Sequence, residues 1–168
     1  MFDPKKHHRK STRLKGYDYA SMGYYFITVN SKDKRCIFGE IKDGIMYPTI
    51  LGRIIEEEWK ITGEIRKNII LHEYVVMPNH FHALVEICYS ENKENIPGEF
   101  KAPAFTLSAL VRSFKGAVTR RNNALEIGNK KGVWHRNFDD RIIRDSRGLL
   151  NVKKYIKDNV KNWKGATF

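Results

Sequence analysis

Residues 71–87 read LHEYVVMPNHFHALVEI, and the rest of the chain is organised around them. Two apolar runs, 69–77 and 81–87, flank a Pro78-Asn79 turn, which is the pattern of two adjacent β-strands. His80 and His82 stand at the head of the second run, separated by Phe81. Strand side chains alternate between faces, so both imidazoles leave one face of the sheet and Phe81 leaves the other. Two side chains so placed can grip one cation together. The plainer reading of His-x-His on a strand is a partly exposed polar face, so the rest of the chain must decide between them.

Working outward, residues 24–29 (YYFITV) are aromatic and β-branched and predict a first strand. Strands at 36–41 and 45–47 bracket Lys42-Asp43-Gly44, a hairpin signal centred on Asp-Gly. Pro48 can start a helix, and Ile50, Leu51, Ile54, Ile55, Trp59 and Ile61 follow at helical spacing. A second helix is expected over 106–125, capped by Thr106 or a neighbour, with Leu107, Leu110, Val111, Phe114, Ala117 and Val118 on its apolar side. Residues 133–144 read as a last strand with an irregular middle, and Asp145-Ser146 open a final helix ending near Trp163. A polar, proline-containing stretch at about 89–103 reads as a flexible loop.

The 168 residues fit one domain, taken as 17–168 behind a basic arm at 1–16. With 41% hydrophobic and 12% aromatic residues, a wholly disordered chain is excluded. Against 19 Asp+Glu stand 31 Lys+Arg, a net charge of +12 that attracts polyanions, nucleic acid first among them. The candidate phosphate contacts are Lys5, Lys6, Arg9 and Lys10 in the arm and Arg112, Lys115, Arg120 and Arg121 on the second helix. The basic helix and the arm are expected to border the groove leading to the histidines. Cys36 and Cys88, each within a predicted strand, are expected to be reduced, buried thiols. No apolar run approaches a membrane span, and the N-terminus is charged, so a soluble cytoplasmic protein is expected.

The last predicted helix carries Leu149, Val152, Ile156, Val160 and Trp163 at core spacing. On the neighbouring face Asn151, Tyr155 and Asn159 recur every four residues, so Tyr155 and Asn159 lie one turn apart. A tyrosine beside a core stripe is usually a boundary residue. Laid over His80 and His82, however, that face makes a set of two imidazoles, an amide oxygen and a phenol, suited to a divalent cation acting on a phosphodiester.

In this ordered company the chain resembles the single-tyrosine HUH transposases, and most of all the REP-associated tyrosine transposases of bacteria. The resemblance rests on residues 25–39 (YFITVNSKDKRCIFG), 74–87 (YVVMPNHFHALVEI), 113–120 (SFKGAVTR), 134–144 and 155–163. It implies an α+β, ferredoxin-like antiparallel sheet with helices packed on one face. It also implies His80, His82 and Asn159 as metal ligands, Mg²⁺ or Mn²⁺ as cofactor, and Tyr155 as the nucleophile. The implied activity is cleavage and strand transfer of single-stranded or hairpin DNA through a 5′-phosphotyrosine. A terminal helix on a short connection can swap between subunits, which allows a homodimer. Two positions depart from the family pattern: Val160 replaces a proline, and Arg141 replaces a histidine in the run DRIIR.

Two other classes compete. A basic ferredoxin-like sheet can bind single strands by stacking without catalysis, yet simple binding needs no such set of His80, His82, Tyr155 and Asn159. A metal-dependent hydrolase using water as nucleophile would form no covalent protein–DNA adduct.

Overall fold

The computed structural model describes residues 17–89, 106–125 and 131–165. The arm residues Lys5, Lys6, Arg9 and Lys10, and the loop expected at about 89–103 apart from its first residue, lie outside the described residues. Among the described residues, six strands and three α-helices follow in the order β1 (Gly23–Asn30), β2 (Gly39–Lys42), β3 (Ile45–Pro48), α1 (Ile50–Ile65), β4 (Ile69–Val76), β5 (His80–Ile87), α2 (Leu107–Ala124), β6 (Asp139–Ile143) and α3 (Ser146–Asp158). Four of the strands form an antiparallel sheet in the order β4-β5-β1-β6, while β2 and β3 make a separate hairpin. The hairpin turns at Asp43 (φ 52°) and Gly44 (φ 72°), both left-handed as a two-residue type I′ turn requires.

Alternation assigns the two faces of the sheet. Tyr25, Ile27 and Val29 of β1 and Phe81, Ala83, Val85 and Ile87 of β5 are buried in the main core, with Ile55 and Trp59 of α1 and Leu110 and Phe114 of α2. Trp59, Phe81 and Phe114 meet with ring centroids 5.0–5.3 Å apart, so aromatic packing joins both helices to β5. On the reverse face Leu84 and Ile143 pack against Val152 and Ile156 of α3. Ion pairs from Lys153 and Lys157 to Glu73 hold α3 along β4. The antiparallel α+β fold is as expected, but only α1 and α2 share a face; α3 covers the other one, where His80 and His82 emerge.

Several expectations are corrected. Cys36 is exposed and Cys88 half-buried, because β2 begins only at Gly39 and β5 ends at Ile87. Residues 37–38 are drawn instead into backbone bonds with Arg35 and Pro78, and it is Phe38 that enters the core. Ile50 and Ile61 are exposed, and the inward stripe of α1 is Leu51, Ile54, Ile55, Glu58, Trp59 and Thr62. Thr49 caps α1 by accepting from the Gly52 N–H at 3.2 Å, so Pro48 closes β3 rather than opening the helix. Helix α3 stops at Asp158, capped by Asn159, and residues 159–162 continue as turns.

Candidate functional site

The Pro78-Asn79 turn is pinned on both sides. Met77 N–H donates to His80 O at 2.8 Å, Phe38 N–H to Pro78 O at 3.0 Å and Ser31 N–H to Asn79 O at 2.9 Å. This turn aims His80 and His82 from the start of β5 onto the α3 face, where their ring centroids are 4.4 Å apart. Register places Asn30 opposite His80 and Thr28 opposite His82 on β1.

A hydrogen bond sets the tautomer of His80. Asn79 Nδ2 donates to Lys34 O at 3.3 Å, which turns its Oδ1 toward His80. A carboxamide oxygen only accepts, so His80 Nδ1 carries the proton in their 2.7 Å bond and its Nε2 keeps a free lone pair. His82 Nδ1 is likewise engaged, 2.9 Å from Thr28 Oγ1. Both rings therefore offer Nε2 outward with Nδ1 held from behind, the way a second shell orients metal-binding histidines.

Burial is the main influence on their titration. It lowers His80 to about 4. It lowers His82 to about 3, with the neighbouring His80 adding and a backbone hydrogen bond at Ile27 opposing. Both rings are thus neutral lone-pair donors at physiological pH. Because these values lie below the ordinary ~6.5, the unfolded chain takes up protons first on acidification. Their contribution to stability is complete above about 6.5 and lost as the pH falls through about 4 and then 3. Chemical denaturation between pH 7.5 and 4.5 is expected to show stability falling with acid; a flat profile would contradict this burial.

Asp145 caps α3 by accepting from Gly148 N–H at 2.6 Å, and the amphipathic helix then carries Tyr155 over β1 and β5. The phenol oxygen lies 3.4 Å from His82 Nε2, and the ring contacts Phe26 edge-on with centroids 5.8 Å apart. Asn159 follows one turn later at the end of α3 and is nine-tenths buried. Beyond it the Trp163 ring comes within 5.9 Å of His80. Among the described residues no group of three His, Cys, Asp or Glu could hold a metal. On this face the two imidazoles stand together with the Tyr155 phenol beside His82 Nε2, and Asn159 lies one turn further along the chain.

The basic helix is not at this pocket. Helix α2 packs on α1 and the opposite face of the sheet, because its apolar stripe seals the main core. Lys115 donates to the backbone carbonyls of His135 (2.7 Å) and Arg136 (3.1 Å), and burial lowers it to about 8. Arg121 is paired with Glu57 and Glu58. Arg112 and Arg120 remain exposed. The orienting residues Thr28 and Asn79 had a sequence signal: Thr28 is in phase with the outward face of YYFITV, and Asn79 directly precedes His80.

No family model matches the chain. A protein of Haemophilus influenzae described only as uncharacterized is 36% identical over 168 residues, covering 94% of this chain and 91% of that protein. The chain belongs to one family with it. Among solved structures, a REP-associated tyrosine transposase bound to a REP hairpin superposes with a TM-score of 0.59 at 18% identity. The match covers 95% of this chain and 83% of that one. A provisionally assigned transposase from Deinococcus radiodurans R1 reaches 0.43 at 18% identity, covering 87% of this chain and 95% of its own. The fold is that of the REP-associated tyrosine transposase, an antiparallel α+β domain. Among the described residues no helix is long and apolar enough to cross a membrane.

Proposed function

We propose that the protein is a DNA transposase that cleaves and rejoins single-stranded or hairpin DNA through Tyr155. The observation that carries this reading is the Tyr155 hydroxyl, 3.4 Å from His82 Nε2 and on the same sheet face as His80. The complex of the fold neighbour with a REP hairpin supports hairpin DNA as the substrate class.

In the proposed reaction the Tyr155 oxygen attacks the scissile phosphorus. A 5′-phosphotyrosine forms, the bond to the 3′ oxygen breaks, and a 3′-OH leaves. The ester keeps the bond energy, so the 3′-OH of another strand can displace the phenol and seal DNA without ATP. His80 and His82 would hold a divalent cation through Nε2, with Asn159 as third ligand. When bound, Mg²⁺ or Mn²⁺ would neutralise charge on a non-bridging phosphate oxygen. Because His82 Nε2 would then be a ligand, the phenol would give up that contact and be free to face the phosphate.

The test is incubation with end-labelled hairpin-bearing single strands and Mn²⁺, followed by denaturing electrophoresis. A protein-linked 5′-phosphate and a free 3′-OH are expected. Cleavage without an adduct would assign the site to a water-using hydrolase, and binding without cleavage to a non-catalytic module.

Arg112 and Arg120 would contact phosphates remote from the cleaved bond, on the α2 side of the sheet. Replacing both by glutamine should reduce the salt slope of single-strand binding by about 1.4, at roughly 0.7 per neutralised phosphate. An unchanged slope in a salt titration would leave them as a solvated face. Lys115 should behave differently, affecting the anchoring of residues 135–136 more than the slope.

A further inference from the structure

On the β6 side of Tyr155 lies a groove of about 400 Å³, lined by Phe26, Asp139, Arg141, Asn151, Val152 and Tyr155 among others. That volume falls within the ~300–1,000 Å³ of small-molecule pockets. Its polar groups come from three elements: Thr28 of β1, Asp139, Asp140 and Arg141 of β6, and Asn151 and Tyr155 of α3. Asp139 and Arg141 alternate onto one face of β6, since they pair with Thr28 and Phe26 of β1, and Asn151 comes from α3 one turn before Tyr155. The side chains of Asp139, Arg141 and Asn151 are exposed and form no hydrogen bond or ion pair among the described residues. Phe26 and buried Val152 supply apolar wall.

A guanidinium and a carboxylate two residues apart on one strand face, each without a side-chain partner among the described residues, present a donor fork and an acceptor pair side by side. Resting on the reading of Tyr155 as the nucleophile, we propose that this groove is a base-specific subsite for a guanine next to the attacked phosphate. Arg141 and Asp139 are its specificity-determining residues. The guanidinium matches the O6 and N7 acceptors of guanine, and the carboxylate accepts from its N1–H and N2–H. Adenine sets an amino group against the arginine donors, and thymine offers no amino group to the aspartate. Cytosine has one amino group, so it fills half the acceptor pair. The face of the base lies against Phe26.

The test measures equilibrium binding of the tetranucleotides TTGT, TTAT, TTCT and TTTT to the Tyr155→Phe protein, which keeps the groove and cannot cleave. TTGT should bind at least tenfold tighter than the others. Arg141→Gln should bring it within about threefold of them, and Asp139→Asn should lower the preference independently. Equal binding of all four, a preference for another base, or a guanine preference that survives both substitutions would overturn the proposal. Because no cleavage is read here, guanine preference alongside a wild-type protein that forms no adduct on the hairpin-bearing strands would sustain the subsite and sink the transposase reading instead.

Discussion

Tyr155→Phe will abolish strand cleavage and the covalent DNA adduct while leaving fold and DNA binding close to wild type. The residue is 51% exposed at the rim of the site, and the substitution removes one oxygen whose only hydrogen-bond approach among the described residues is to His82 Nε2, at 3.4 Å. A hydrogen bond contributes about 0.5–1.5 kcal/mol, and this long one belongs at the low end. The ring remains packed edge-on against Phe26, so helix α3 keeps its seat. Loss of a covalent nucleophile, by contrast, can cost on the order of a million-fold in rate. The chain has eight tyrosines, so the wild-type adduct should also be digested and the modified peptide sequenced. Full cleavage by the Phe variant, or an adduct mapped to another tyrosine, would remove the basis of the proposed function.

How much of this arrangement could be read in advance depends on how far each signal acts along the chain. The period-2 pattern and the Pro78-Asn79 turn are local, and β4, β5 and the common face of His80 and His82 follow from them directly. The i, i+4 spacing of α3 likewise places Tyr155 one turn before Asn159. Periodicity alone cannot say which side of the sheet a helix takes. The basic face of α2 was expected near the histidines, yet its apolar stripe is matched to α1 and Phe81, which commits it to the other side. The fate of a charge is also decided at a distance. Lys115 binds carbonyls about twenty residues away, and Arg121 pairs with α1 residues more than sixty residues away. Arg141 was visible only as a departure from a family pattern; its pairing with Phe26 puts it in a groove beside Tyr155.

The second large effect concerns His82→Leu, which should separate function from stability. The imidazole is only 5% exposed, lies opposite Val75 and Thr28, and packs against Phe26 with ring centroids 5.0 Å apart. A leucine fits that apolar setting, but it leaves the Thr28 hydroxyl without its partner, at a cost of roughly 1 kcal/mol. Near pH 7.5 the variant should therefore fold with stability within about 1–2 kcal/mol of wild type. Mn²⁺ binding by titration calorimetry should fall below detection, and cleavage should fall with it, because His80 alone offers one nitrogen. The pH dependence gives an independent reading. His82, lowered to about 3 by burial, contributes to the acid loss of wild-type stability from about pH 6.5 downward, and a leucine has no proton to take up. The variant should lose stability less steeply than wild type between pH 6.5 and 4.5, with the remaining slope supplied largely by His80. Metal binding that survives the substitution would show that the cation is held elsewhere. An acid slope equal to that of wild type would show that His82 is not buried as a neutral imidazole, and the ligand assignment would fall with it.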